Sequence, residues 1–153
     1  MGEHYKTLSA VFPIILECYQ DKTQVLLLQR TNTGYMDGMW DFAGSGHVEE
    51  NESAKQAVIR ECREEIGIVV NIENIKFAHL SHRVGINGAR TYYDIYFVIC
   101  KYEGVPYIAE PQKCSALQWF DIHNLPDNLI PVRKKALDFY LDKQYYSEEI
   151  YKK

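Results

Sequence analysis

Gly46-His47-Val48-Glu49-Glu50-Asn51-Glu52, continued by Ala57-Val58-Ile59-Arg60-Glu61-Cys62-Arg63-Glu64-Glu65-Ile66-Gly67-Ile68, is the stretch on which the reading of this chain turns. Laid on a helix at about 100° per residue with Glu61 at zero, Glu65 falls near about 40° and Glu64 near about 300°. The three carboxylates share a face roughly 100° wide, and Val58, Ile59, Cys62 and Ile66 form a separate apolar stripe at roughly 60–160°. A helix is expected to start near Glu52 or Ser53 and to stop at Gly67. Ser53 suits the N-cap, and Gly67 can take the left-handed position past the last turn.

Carboxylates gathered on one face repel one another, so the cluster costs stability unless cations offset it. Arg60 stands four residues before Glu64 and is placed to pair with it, with Glu52 as another candidate partner. Two arginines against this many acids leave a negative site. Hard oxygen donors suit Mg²⁺, or Mn²⁺, shared with substrate phosphates. The competing reading is a solvated Glu/Arg helix face, which is the commoner fate of such runs. Spacing alone leaves both open.

The segment from Gly46 to Ile68 resembles a complete Nudix box, G-x5-E-x7-R-E-U-x-E-E-x-G-U with U apolar, and Cys62 fills the first U as a small apolar residue. At background residue frequencies a chance match is below about one in a million. The resemblance implies an α+β fold of the Nudix type, an α/β/α sandwich with a mixed β-sheet, over a single domain, residues 1–153. It implies that Glu61, Glu64 and Glu65 bind metal and carry catalysis, that the Gly46 backbone closes around the metal, and that Arg60 and Glu52 form an orienting ion pair. Further along, Glu110 matches the position where MutT-like members carry another catalytic or metal-binding Glu. Asn128 matches the place where they set an Asn against the nucleobase. The chain departs from the family's compact Pro-Gly-Gly turn, because Ala43-Gly44-Ser45-Gly46 is one residue longer. That puts the geometry of the phosphate loop in question rather than the helix.

The remaining chain is consistent with one domain. An apolar fraction of 46% and a charged fraction of 25% are those of a globular protein. A net charge of −4 argues against a partner that is polymeric nucleic acid. No apolar run approaches the ~20 residues of a membrane span, and the start lacks a leader pattern, so a cytoplasmic location is expected. Cys18, Cys62, Cys100 and Cys114 lie far apart beside apolar residues and are expected to be buried free thiols. Strands are expected over 8–18, 24–30, 75–83, 91–102 and 117–120, and a last helix from Pro131. His79 and His82, three apart on a strand, are expected on opposite faces, which disfavours joint metal ligation. The Tyr-rich tail from Tyr140 to Tyr151 is a candidate homodimer surface.

The expected activity is Mg²⁺-dependent hydrolysis of a pyrophosphate linkage in a nucleoside diphosphate derivative. First choice is a nucleoside triphosphate, cleaved to monophosphate and pyrophosphate. Arg30, His47 and Asn128 are the candidate substrate contacts, and Arg83, Arg90 and Lys113 are further cations that either stabilise charge or sit on the surface. ADP-ribose or another nucleoside diphosphate derivative is the alternative substrate. Isopentenyl diphosphate isomerase shares the fold but needs a Cys in the early loop, which residues 31–46 lack. A silent binding module typically loses box carboxylates, and all are present here.

Overall fold

Two long strands set the frame. In the computed structural model, which describes residues 2–153, β1 (Leu8–Tyr19) and β2 (Lys22–Arg30) pair antiparallel through a tight turn at Gln20 and Asp21, both with positive φ. Along β1 the side chains alternate between two cores: Val11 and Ile15 point one way, Ala10, Phe12 and Ile14 the other. Along β2, Leu26 and Leu28 separate from Val25 and Leu27 in the same way. Strands buried on both faces read as unbroken apolar runs, as these do.

The remaining strands are β3 (Trp40–Phe42), β4 (Gly46–His47), β5 (Lys76–Ile86), β6 (Tyr92–Ile99), β7 (Cys114–Asp121) and β8 (Tyr146–Lys152). The sheet runs β3-β2-β1-β6-β5-β8, with β4 added to β1 and β7 to β2. It is mixed: β1 lies parallel to β6 and β5 parallel to β8, while the other pairs are antiparallel. Pro13 falls where β1 passes from β4 (at Ala10–Val11) to β2 (from Leu16), so its missing N–H breaks no pairing on that edge.

Helix α1 (Ala54–Ile66) buries Ala57, Val58, Cys62 and Ile66 against one face, and α2 (Pro131–Leu141) buries Arg133, Ala136 and Leu137 against the other. The expected α/β/α sandwich with a mixed sheet is the observed fold. Ser53 caps α1 in a reciprocal box, its Oγ accepting from the Gln56 N–H and its own N–H donating to the Gln56 side chain. Gly67 ends the helix at φ 68°, as its sequence position implied.

Residues 146–152 form β8, a strand the sequence reading did not include, on the edge offered by β5. Two expectations need correcting. Of the cysteines only Cys62 and Cys114 are buried; Cys18 and Cys100 lie at strand ends and are exposed. Arg83 is not a surface cation. It is buried, paired with Asp94 and stacked between the rings of Tyr92 and Tyr151. His79 and His82 do take opposite faces, His79 stacking on Phe139 and His82 on Tyr93.

Candidate active site

The site gathers around Arg60. Its guanidinium holds Glu52 bidentately, Nε to Oε2 at 2.7 Å and Nη2 to Oε1 at 3.0 Å. Nη1 reaches Glu61 Oε1 at 2.7 Å and Glu64 Oε2 at 3.3 Å, and Nη2 donates to the His47 carbonyl at 3.0 Å. A planar fork of this kind fixes several carboxylates at once, as a lysine would not. Both partners expected for Arg60 are therefore engaged, and its bond to His47 ties the helix to β4. The Glu49 N–H donates to Glu52 in turn, at 3.0 Å.

Glu65 turns away from this fork. Its Oε1 accepts from the Gly44 N–H at 2.6 Å, across the long turn that departs from the family pattern. Gly46 approaches Glu61 so closely that a Cβ there would lie 2.3 Å from the carboxyl carbon and from Oε1. Glu61 and Glu65 are half-buried, whereas Glu64 is exposed.

Burial pushes the Glu61 carboxyl upward against the opposing pull of Arg60. Burial pushes Glu65 further, up to about 8, with only the Gly44 N–H lowering it, and the negative charges of Glu61, Asp41 and Glu110 add to the rise. Glu52 goes the other way, its hydrogen bond to Arg60 holding it below the ordinary carboxylate range. Helix α1 thus carries two acids whose charge the fold leaves under-compensated, beside the Glu52 anchor in the loop before its N-cap, the condition expected of a functional site.

Glu110 is brought in by the segment before β7. The Tyr107 N–H donates to the Ile66 carbonyl at 3.0 Å and the Ala109 N–H to the Glu65 carbonyl at 3.1 Å, which satisfies the open C-terminal carbonyls of α1. The Tyr107 ring lies over Gly67, where a Cβ would fall 2.1 Å from it. Glu110 is half-buried, with Lys113 at 3.9 Å.

Arg30 and Asn128 meet at the loop between β2 and β3. Arg30 donates to the Tyr35 carbonyl at 2.7 Å and to Thr33 at 3.0 Å, and reaches Asp41 at 3.4 Å. Asn128 Nδ2 donates to the Gly38 carbonyl at 2.9 Å. His47 is exposed and lies 3.1 Å from the Tyr92 hydroxyl. Sequence reasoning missed the Gly44 N–H and the Tyr107 contact, because neither a main-chain donor nor a ring seated on a glycine leaves a local pattern. Only the additional residue in the 43–46 turn hinted at the first.

Among the described residues, no three Asp, Glu, His or Cys side chains converge into a ready-made cation cage. Arg60 Nη1 stands between Glu61 and Glu64 and supplies positive charge there. The donors nonetheless fit a hard divalent ion: all are carboxylate oxygens, Gly46 leaves the Glu61 carboxylate room, and Glu65 faces a main-chain N–H rather than a cation.

Known proteins resemble this chain in sequence and in fold. The chain is 43% identical over 56 residues to the CTP pyrophosphohydrolase of Escherichia coli (strain K12), covering 37% of this chain and 41% of that protein. It is 48% identical over 46 residues to the 8-oxo-dGTP diphosphatase of Proteus vulgaris, covering 30% of this chain and 40% of that one. The matched stretches therefore span about two-fifths of the length of these curated relatives. The crystal structure of a MutT NUDIX hydrolase from Burkholderia pseudomallei superposes with a TM-score of 0.75 over 88% of this chain and 98% of that one, at 23% identity, a likeness of fold. The NUDIX domain model matches residues 11–140, and with a complete box folded as its capped helix, this chain belongs to the Nudix family.

Proposed function

We propose that the chain hydrolyses a pyrophosphate linkage in a nucleoside diphosphate derivative, with a nucleoside triphosphate, cleaved to monophosphate and pyrophosphate, as first choice. The observation that carries the reading is the pair of half-buried acids, Glu61 and Glu65, on one helical turn beside Glu64, with Gly46 leaving space at the carboxylate. The names of the two curated relatives, both acting on nucleoside triphosphates, support the substrate class.

Glu61, Glu64 and Glu65 would hold Mg²⁺ or Mn²⁺, which when bound offsets phosphate charge and acidifies water. The chain's own residues do the rest. Arg60, anchored on Glu52, orients Glu61 and Glu64 and ties them to β4 through His47. Glu61 or Glu110 takes the proton of the attacking water, and burial suits Glu61 to that role by raising its proton affinity. Arg30, His47 and Asn128 contact the nucleotide, Arg30 and Asn128 being set at the β2–β3 loop by their bonds to the Tyr35 and Gly38 carbonyls.

The test is a panel of nucleoside triphosphates, ADP-ribose and dinucleoside polyphosphates, incubated with Mg²⁺ and resolved by chromatography. Expected is monophosphate plus pyrophosphate from at least one triphosphate, lost by orders of magnitude in Glu64→Gln and Glu65→Gln. Undiminished turnover in both variants removes the assignment of the site. Cleavage of ADP-ribose alone removes the triphosphate choice and leaves the site.

A further inference from the structure

Strand β8 is the terminal strand of the sheet, and among the described residues nothing pairs with its outer side. The Leu80 N–H donates to the Tyr145 carbonyl at 2.9 Å, which fixes the phase of the strand. Odd-numbered residues turn their N–H and C=O toward β5, and Tyr146, Glu148, Ile150 and Lys152 turn theirs toward the open edge. These same four expose their side chains, Ile150 to 71%. Their neighbours are committed inward: Ser147 to His79 at 2.7 Å, Glu149 to Lys135 at 3.3 Å and Tyr151 against Arg83. An open edge carrying an exposed apolar residue is a template for another strand.

We propose that the strand it takes is β8 of a second copy, antiparallel, about a two-fold axis at Ile150. In that register Ile150 meets the second copy's Ile150, and Glu148 meets the second copy's Lys152, with the converse by symmetry. Two unrelated features select it. The outward main-chain groups belong to even-numbered residues, so they hydrogen-bond only if even faces even. Among such registers, shifting the axis by one residue toward Tyr146 sets Glu148 against Ile150 and Tyr146 against Lys152. The opposite shift sets Ile150 against Lys152. Both lose the charge pairs and the apolar contact, whereas the proposed register keeps opposite charges directly across from each other on one face. A patch complementary to itself across a two-fold axis closes as a dimer and leaves neither β8 edge open.

Sedimentation velocity of the full chain, over a concentration series into the high micromolar range, decides this. A monomer–dimer equilibrium is expected. Glu148→Lys or Lys152→Glu places like charges opposite and weakens association about tenfold or more. The double exchange Glu148→Lys with Lys152→Glu restores it. Ile150→Pro abolishes it while sparing β5, because the N–H removed points to the open edge. If the proline variant fails to fold, the charge exchange still decides. A chain that stays monomeric throughout overturns the proposal. So does a dimer indifferent to charge reversal, or a double variant no better than the singles. Hydrolytic activity plays no part in the readout, so the outcome is separate from that of the proposed reaction.

Discussion

Gly46 lies directly against the carboxylate of Glu61: a single methyl group on it would sit 2.3 Å from the carboxyl carbon and from Oε1. The glycine that opens the box is thus a matter of space at a half-buried acid rather than of backbone conformation, since its φ is not positive.

Gly46→Ala should therefore fold and lose activity. The Glu61 side chain has to move by an ångström or more, breaking its 2.7 Å bond to Arg60. A displacement of that size typically lowers turnover about 100-fold. Circular dichroism should match the parent while kcat falls; unchanged kcat contradicts the crowding argument.

Glu65 gives the metal-free protein a pH signature. Its carboxyl ordinarily titrates near 4.5 and is pushed up to about 8 by burial. Between those values the folded chain retains a proton that the unfolded chain has released, so stability must fall as pH rises across the window. Glu61, shifted the same way, adds to the slope. Urea midpoints measured in a chelator should decline from mildly acid to mildly alkaline pH, and saturating Mg²⁺ should flatten the decline. A midpoint that rises through the window is the contrary result.

Asp94 is fully buried between Arg83 and Arg133, and Arg133 in turn reaches Asp41 at 2.8 Å and lies 3.6 Å over the ring of Phe12. Asp94→Asn leaves two buried guanidinium groups under-compensated. A loss of about 3–5 kcal/mol follows, the usual cost of removing one partner from a buried ion pair. Equilibrium urea unfolding checks it; a loss below 1 kcal/mol, on the order of a surface pair, would mean that water reaches the network.

Thiol chemistry should divide the cysteines evenly. Cys18 and Cys100 are exposed, so a disulfide reagent should label them in the native protein. Cys62 and Cys114 are buried, with burial raising both thiols, and should react only after unfolding. Native labelling of Cys62 would mean that α1 leaves the sheet readily.

The helix bounds, the N-cap at Ser53 and the stop at Gly67 were legible because they depend on neighbours within four residues. The same holds for the pairing of Arg60 with Glu64 and for the opposite facing of His79 and His82. The exposure of Cys18 and Cys100 was not, since both flank apolar runs and only the ends of β1 and β6 decide which side of the core boundary they occupy. Nor was β8. Tyr146-Ser147-Glu148-Glu149-Ile150-Tyr151-Lys152 alternates but carries its charges as a solvated tail does, and it becomes a strand only where the β5 edge is present to pair with it.

The amino-acid order by itself determined that three acids share one face of a capped helix, because a turn of helix fixes the relation of residue i to i+3 and i+4 without outside help. The tertiary structure alone decided what each acid meets. Glu65 finds the Gly44 N–H 21 positions away, and Glu61 finds the bare Gly46. Arg83, nominally a cation for solvent, is enclosed by Asp94, Tyr92 and Tyr151. Such partners are separated by chain whose path is set by packing on both faces of the sheet, so their proximity is a property of the closed core and is written in no single segment.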